Sequence, residues 1–473
     1  MLSRRLQSHV TASLVSLFAV LALFAVPTSA QAALEAGPLE IGMYGRMGVA
    51  WNPQNGQFVH GRSLNLLGNT LGGRLEEGDY LEPTIKLHIA RPTAEDNTKP
   101  YMHFVITPSM FSSGGSFLGA FANNFSTQLR IELFQAYLEA GNVLIPDLKI
   151  WAGQRFYRGS DVHIADYYYF NQLNSQGFGV KYKGFDGAVL LQTSGGGLYG
   201  VDADGDPDTE GDDIQRQRTV FVGQYVLPVA EKHAVHFLGE FHLLPAARPA
   251  IGSTAAAPGD VGYVLGIKGR MDLGGGSFNE LAVRYGGGIA NGSFNTSPTW
   301  GTFGGADEDG KYGGALGLEV VDHFLYNVNP LFAVNAYGIV QFSKGASGQS
   351  TDKAFNFALG ARTFLYLHEQ FHLINELTYH GVGFGLPEGV PTPPLPTAVK
   401  FTVMPTIVPS GERSVWARPH LRLIYTLAHY SQGARDLLTA PSPAAQAAAS
   451  PYLKQFGARE WGHYLGARAE WWF

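Results

Sequence analysis

The chain has 473 residues and carries 33 Lys plus Arg against 39 Asp plus Glu, a net charge of −6. That balance argues against nucleic acid as a partner, and the absence of cysteine excludes disulfides and Cys-ligated zinc. With 60 glycines, 12% aromatic and only 15% charged residues, the composition is that of a β-rich chain, neither disordered nor a helical bundle.

Residues 1–32 open with Arg4 and Arg5, continue with an apolar stretch from Leu14 to Val26, and end in Thr28-Ser-Ala30-Gln-Ala32. A basic start, a short apolar core and an A-x-A-like site form a secretory signal, with cleavage expected after Ala30 or Ala32. No later stretch reaches the ~18 apolar residues of a transmembrane helix. No linker divides what remains, so residues 33–473 are expected to form a single domain.

The first strand is expected over 39–51, where Leu39, Ile41, Met43, Met47, Val49 and Trp51 oppose Glu40, Tyr44 and Arg46. Residues 80–89 set Leu81, Pro83, Ile85, Leu87 and Ile89 against Tyr80, Glu82, Thr84, Lys86 and His88. The stretch 150–170, IWAGQRFYRGSDVHIADYYYF, starts as a strand and runs into arginines, aspartates and three tyrosines. The 22 residues from Arg155 to Gln176 form a loop long enough to expect a function. Residues 202–213, DADGDPDTEGDD, read as a solvated acidic loop, with closely spaced oxygens that would also suit calcium.

HEQFH (368–372) matches the H-E-x-x-H pattern of a zinc-peptidase helix, which makes a secreted zinc peptidase a distant alternative. The flanking residues also read as two strands around a tight turn, and that reading is preferred. The Pro-rich 385–396 and the low-complexity APSPAAQAAASP (440–451) are expected as solvent-facing loops. Alternation returns at 415–427, with Val415, Ala417, Pro419, Leu421 and Leu423 against Trp416, Arg418, His420 and Arg422. At the C-terminus Leu465, Ala467, Ala469, Trp471 and Phe473 oppose Tyr464, Gly466, Arg468, Glu470 and Trp472.

Strands of about ten residues with one apolar and one polar face, repeated along the chain, are the mark of an all-β transmembrane antiparallel barrel. In lipid every backbone group must pair within the protein, so the sheet must close. Trp51, Trp471 and Phe473 stand where aromatic girdles belong.

Five blocks carry a resemblance. IWAGQRFYRGSDVHIADYYYF, LEIGMYGRMGVAW (39–51), DYLEPTIKL (79–87), SVWARPHLR (414–422) and the final AEWWF resemble segments of the maltoporins, and they span nearly the whole mature chain. The resemblance implies an 18-stranded barrel, trimeric, in the outer membrane of a Gram-negative bacterium, with 150–170 as an inward-folded constriction loop. It implies passage of maltose and malto-oligosaccharides, with no enzyme activity and no cofactor or metal. The expected partners are an oligosaccharide, outer-membrane lipid and two further copies of the chain. The implied aromatic slide is Tyr44, Tyr80, Trp416 and Trp472, all on the polar face of their alternating stretches. The implied polar track and constriction are Arg46, Glu82, Arg158, Asp166, Tyr168, Arg418, Arg468 and Glu470.

Some positions depart from the family. Gly159 stands where the constriction arginine is expected, Asn171 and Phe170 replace an aspartate and a tryptophan, and 111–125 holds only phenylalanines where a neighbouring subunit's tryptophan loop would be. A porin for another oligosaccharide, or for general diffusion, is the alternative.

Overall fold

The computed structural model describes residues 34–36, 38–59, 62–91, 98–112, 117, 129–192, 200–201, 214–246, 258–292 and 301–473. The signal segment, the acidic run 202–213 and most of 111–125 lie outside the described residues.

Eighteen strands build the barrel. They are β1 (Leu39–Trp51), β2 (Tyr80–Ala90), β3 (Tyr101–Ser112), β4 (Leu129–Gly141), β5 (Lys149–Arg155) and β6 (Ser175–Tyr182). Next come β7 (Phe185–Gln192), β8 (Arg218–Ala230), β9 (His233–Leu244), β10 (Asp260–Gly274), β11 (Ser277–Gly288) and β12 (Leu316–Asn329). The last six are β13 (Phe332–Lys344), β14 (Lys353–His368), β15 (Phe371–Phe384), β16 (Thr397–Ile407), β17 (His420–Tyr430) and β18 (Trp461–Trp472). Each pairs antiparallel with its sequence neighbour, and β18 returns to β1 with Tyr44 opposite Trp472 and Trp51 opposite Leu465. Met43 and the terminal Phe473 exchange both backbone hydrogen bonds, at 3.0 and 3.1 Å. No edge of the main sheet is left open at this seam, as closure in lipid requires.

The outward face is apolar and bare: Val49 is 50% exposed, Ile131 67% and Leu265 61%. A soluble protein would cover so continuous an apolar belt with a second layer; here hydrocarbon covers it. Asp322 breaks the pattern by facing outward in mid-strand, where Asn279 Nδ2 donates to it at 2.7 Å. At one end of the barrel most connections are two-residue turns. HEQFH is one of them: β14 ends at His368, Glu369 and Gln370 turn, and β15 begins at Phe371. Its histidines therefore lie across a hairpin and not on one face of a helix, which removes the zinc-peptidase reading.

Two expectations need correction at the other end and at the last short-turn connection. Residues 415–419 are not strand: β17 starts at His420, and Val415 and Ala417 are buried, not lipid-facing. Pro419 has no N–H to give a ladder, and it follows a cis Arg418–Pro419 bond. Residues 440–451 are a solvated loop only in part: 441–444, 446 and 447 are exposed as expected, but 448–450 are buried. They belong to a connection with short helices at Gln432–Asp436, Pro443–Ala447 and Pro451–Phe456, and Ala448, Ala449 and Leu453 are fully buried. The Pro-rich 385–396 is exposed as expected.

What those helices cover is the connection 52–79, which folds into the lumen. Leu67 N–H donates to Ala448 O at 2.8 Å and Tyr452 N–H to Ser63 O at 2.9 Å. Leu64, Leu66, Leu71 and Leu75 are buried against the wall. Tyr337 Oη donates to Leu71 O at 2.5 Å, Thr378 Oγ1 to Gly72 O at 2.9 Å, and Lys400 Nζ to Glu76 Oε2 at 2.8 Å. Gly73 has φ +96° and no room for a Cβ against Glu376, so glycine is required there. The plug fills the lumen beside β13 to β17 and confines open space to the β18–β1–β5 side.

Candidate functional site

The open space is a cavity of about 920 Å³ bounded by the barrel wall, the plug and the loop between β5 and β6. That loop crosses the lumen. A short hairpin pairs Asp161 with Tyr168, and Arg158 bridges Gln172. The far side of the loop is tied to the opposite wall: Tyr167 Oη donates to Glu319, Tyr169 Oη to Glu280, and Lys268 Nζ to Ser160 Oγ at 2.5 Å. The expected inward fold of this segment is present, and Asp166 and Tyr168 face the cavity.

Facing the loop is a row of rings, one per strand. Trp472 on β18 stacks with Tyr44 on β1 at 6.4 Å between centroids. Tyr44 meets Tyr80 on β2 at 5.8 Å, and Tyr80 stacks on Phe111 of β3 at 6.5 Å. The pairing register puts them there, with Tyr44 opposite Trp472 and Tyr80 opposite Phe111. Barrel strands tilt, so a row that follows the hydrogen-bonding direction climbs the wall as a spiral. At the short-turn end the row reaches Trp416 through His163 of the loop, whose ring lies 5.4 Å from Trp472 and 5.7 Å from Trp416. Trp416 also borders a hollow of about 370 Å³ framed by the turn residues Gly275 and Pro330. It therefore stands between the cavity and that mouth.

The row is held from behind. The Tyr44 hydroxyl donates to Glu470 Oε1 at 3.1 Å and accepts from Arg46 Nη1 at 3.0 Å and Arg74 Nη2 at 2.5 Å. The Arg418 guanidinium lies 3.9 Å over the Trp472 ring and donates to Glu470 Oε2 at 2.7 Å. Trp472 is thus backed by a cation while it lines the cavity.

A sequence model described as LamB porin matches residues 39–473. The chain belongs to the LamB porin family. It is an outer-membrane diffusion porin, a channel. Among solved structures it is similar to OccD3 of Pseudomonas aeruginosa (9% identity, 94% of this chain and 93% of that one, TM-score 0.43). It is also similar to OccAB1 of Acinetobacter baumannii (8% identity, 94% and 98% covered, TM-score 0.45). A third is Wzi of Escherichia coli, described as a carbohydrate-binding β-barrel (8% identity, 90% and 83% covered, TM-score 0.41). Likenesses this distant carry no functional inference.

In the porin, all four expected slide residues line one cavity, although Trp416 does so from a turn and not from a strand. Of the expected polar track, Arg46, Glu82, Arg158, Asp166 and Tyr168 also line it. Arg418, Arg468 and Glu470 do not. They are buried behind the rings, where Arg468 Nη2 donates to Asp79 Oδ1 at 2.7 Å. They were expected at the cavity because they share a strand face with Trp416 and Trp472, but the plug covers that face. Gly159 has no room for a side chain against Tyr169 O and Asn171, and Asn171 is itself fully buried. The neighbouring Arg158 brings the loop's guanidinium to the cavity instead, held between Phe156 at 3.9 Å and Tyr168 at 4.0 Å.

Sequence reasoning missed Phe111 and left Arg74, which precedes Tyr80 at a shorter spacing than the family's, without an assigned place in the site. Phe111 shares the inward parity of Tyr101, His103, Thr107 and Ser109, so the signal was available once 101–112 is read as a strand. Arg74 sits in the plug, where it donates to Glu77 at 2.7 Å and to His163 O at 3.2 Å. Burial raises the Asp166 carboxyl, but Arg74, Arg46 and Arg62 outweigh it and hold the group at about 2. Burial pushes His163 below the usual imidazole range; Asp161 opposes that, and Arg74 and Arg418 reinforce it.

Proposed function

We propose that this porin is selective for oligosaccharides, maltose and its longer homologues among them, which pass along Trp416, Trp472, Tyr44, Tyr80 and Phe111. The observation that carries the reading is the unbroken row of rings at 5.8 to 6.5 Å across four adjacent strands, facing charged groups on the inward loop. One face of a pyranose is rich in C–H and stacks on an aromatic plane, while its rim of hydroxyls needs donors and acceptors. Arg46, Arg158, Glu82 and Asp166 offer both kinds across the same cavity. Several weak and similar subsites let a chain advance without being trapped, which conduction demands. Stacking of a base on an aromatic side chain, the nearest analogue, is worth ~1–3 kcal/mol per unit. Family membership also supports a homotrimer and removal of residues 1–32 as a signal.

Titrating single-channel current with maltodextrins tests this. Saturable block is expected, tightening with chain length over the first few glucose units. Absence of block at millimolar sugar would leave a general diffusion porin.

A further inference from the structure

Behind the aromatic row lies a small recess of about 10 Å³, room for about one water-sized particle. Five arginines line it, Arg46, Arg74, Arg362, Arg422 and Arg468, with only Glu77 and Glu470 as acids. The surrounding ion pairs do not balance the charge. Glu376 pairs with Arg362 at 2.6 Å, Asp79 with Arg468 at 2.7 Å, Glu77 with Arg74 at 2.7 Å, and Glu470 with both Arg418 and Arg422 at 2.7 and 3.1 Å. Six guanidiniums therefore face four carboxylates. Asp166, 3.7 Å from Arg74, and Asp161, 3.7 Å from the recess-lining His163, lie on the loop outside this inner shell, in which guanidiniums outnumber carboxylates. Arginine does not relieve the imbalance by losing a proton. Arg422 is buried, and its Nε has no hydrogen-bond partner among the described residues.

We infer that this recess is a binding site for a small monatomic anion, chloride in practice. A buried, uncompensated charge is costly unless a counter-charge accompanies it. Water would satisfy the Arg422 Nε–H but would leave the excess charge in place. A phosphate or sulfate is too large for the space. The anion would neutralise the cluster that positions the slide: Arg46 and Arg74 both donate to the Tyr44 hydroxyl, and Arg422 shares Glu470 with Arg418, which packs on Trp472. It is a structural ion, distinct from ions in transit through the main cavity.

The test is anomalous diffraction from crystals of the intact porin grown with bromide replacing chloride. One bromide peak is expected in the recess against Arg422. Water there, with bromide only as an adventitious ion elsewhere, overturns the inference. In Arg422→Gln, loss of a charge-assisted hydrogen bond and of the excess charge should weaken bromide binding about tenfold or more. An undiminished peak in that variant also overturns it. Should the variant not fold, the wild-type melting midpoint decides. It should be higher in chloride than in gluconate at equal ionic strength, and equal midpoints would reject the site.

Discussion

The two halves of the lumen are built from the same inward-facing strand positions but are used in opposite ways. On the β13–β17 side the inward residues are consumed by the plug: Tyr337, Thr378, His380 and Lys400 each bond a group in residues 66–76. On the β18–β3 side Arg46 and Arg468 also bond the plug, but Trp472, Tyr44, Tyr80 and Phe111 are left to face open space. Polar inward groups, the Tyr337 hydroxyl among them, satisfy a loop's backbone and carboxylates, whereas the flat face of a ring offers a peptide group no strong hydrogen bond. The difference teaches that the channel's path is decided by where hydrogen-bonding capacity is spent on the protein itself.

The strongest way to break this contrast is to undo the plug. Lys400 and Glu76 form an ion pair with both side chains essentially inaccessible. Removing one partner of a buried pair costs about 3–5 kcal/mol, because the other charge is left unpaired. Lys400→Met should therefore release residues 52–79 to proteolysis and raise single-channel conductance. Unchanged conductance would mean that the β13–β17 half is closed by something other than this docking.

Trp472→Ala attacks the other half. If each ring contributes stacking of ~1–3 kcal/mol, maltodextrin affinity should fall about 5- to 150-fold, with ion conductance unchanged or higher. Phe111→Ala should have the same sign and a smaller size, since Phe111 ends the row and has only Tyr80 as a stacking neighbour among the described residues. Equal losses would make the row uniform. No loss at Phe111 would end the slide at Tyr80.

The barrel and the ring side were legible because both depend on alternation, which a strand repeats every two residues. Tyr44, Tyr80 and Trp472 announce their faces by parity alone. The plug was not legible in that way. Its leucines at 64, 66, 67, 71 and 75 signal burial, since a long solvated loop has no use for them, but no local period says which wall they meet. The same ambiguity hid residues 440–451, where an alanine-rich stretch reads as low complexity until Leu453 and Tyr452 are seen packed inward. Trp416 was placed on the right side for the wrong reason: parity was extended through Pro419, beyond the end of the strand.

Acid is the mildest perturbation, and it sharpens the comparison at the point where loop and rings meet. Asp166 has its folded-state value depressed to about 2 by the surrounding arginines despite burial. A carboxyl with a depressed value contributes fully above its ordinary ~3.9, so mild acid does not touch its share of loop docking. That share fades only as pH falls through about 2. His163 lies between Trp416 and Trp472, and its folded-state value is depressed too, with burial as the main cause and Arg74 and Arg418 adding to it. For a base the depressed value means that the neutral form is favoured in the folded protein. Its contribution is complete above the ordinary ~6.5 and declines as pH drops from there towards the lowered value. Maltodextrin block, a property of the folded channel, should therefore stay flat through the ordinary imidazole range and weaken modestly only in more acid solution, where His163 takes up its proton. His163→Gln should flatten that weakening, while Asp166→Asn should shift affinity at all pH values without changing the shape of the profile. A profile that flattens in Asp166→Asn and persists in His163→Gln would reverse the two roles and place the acid-sensitive contact on the loop's face towards Arg74, away from the rings.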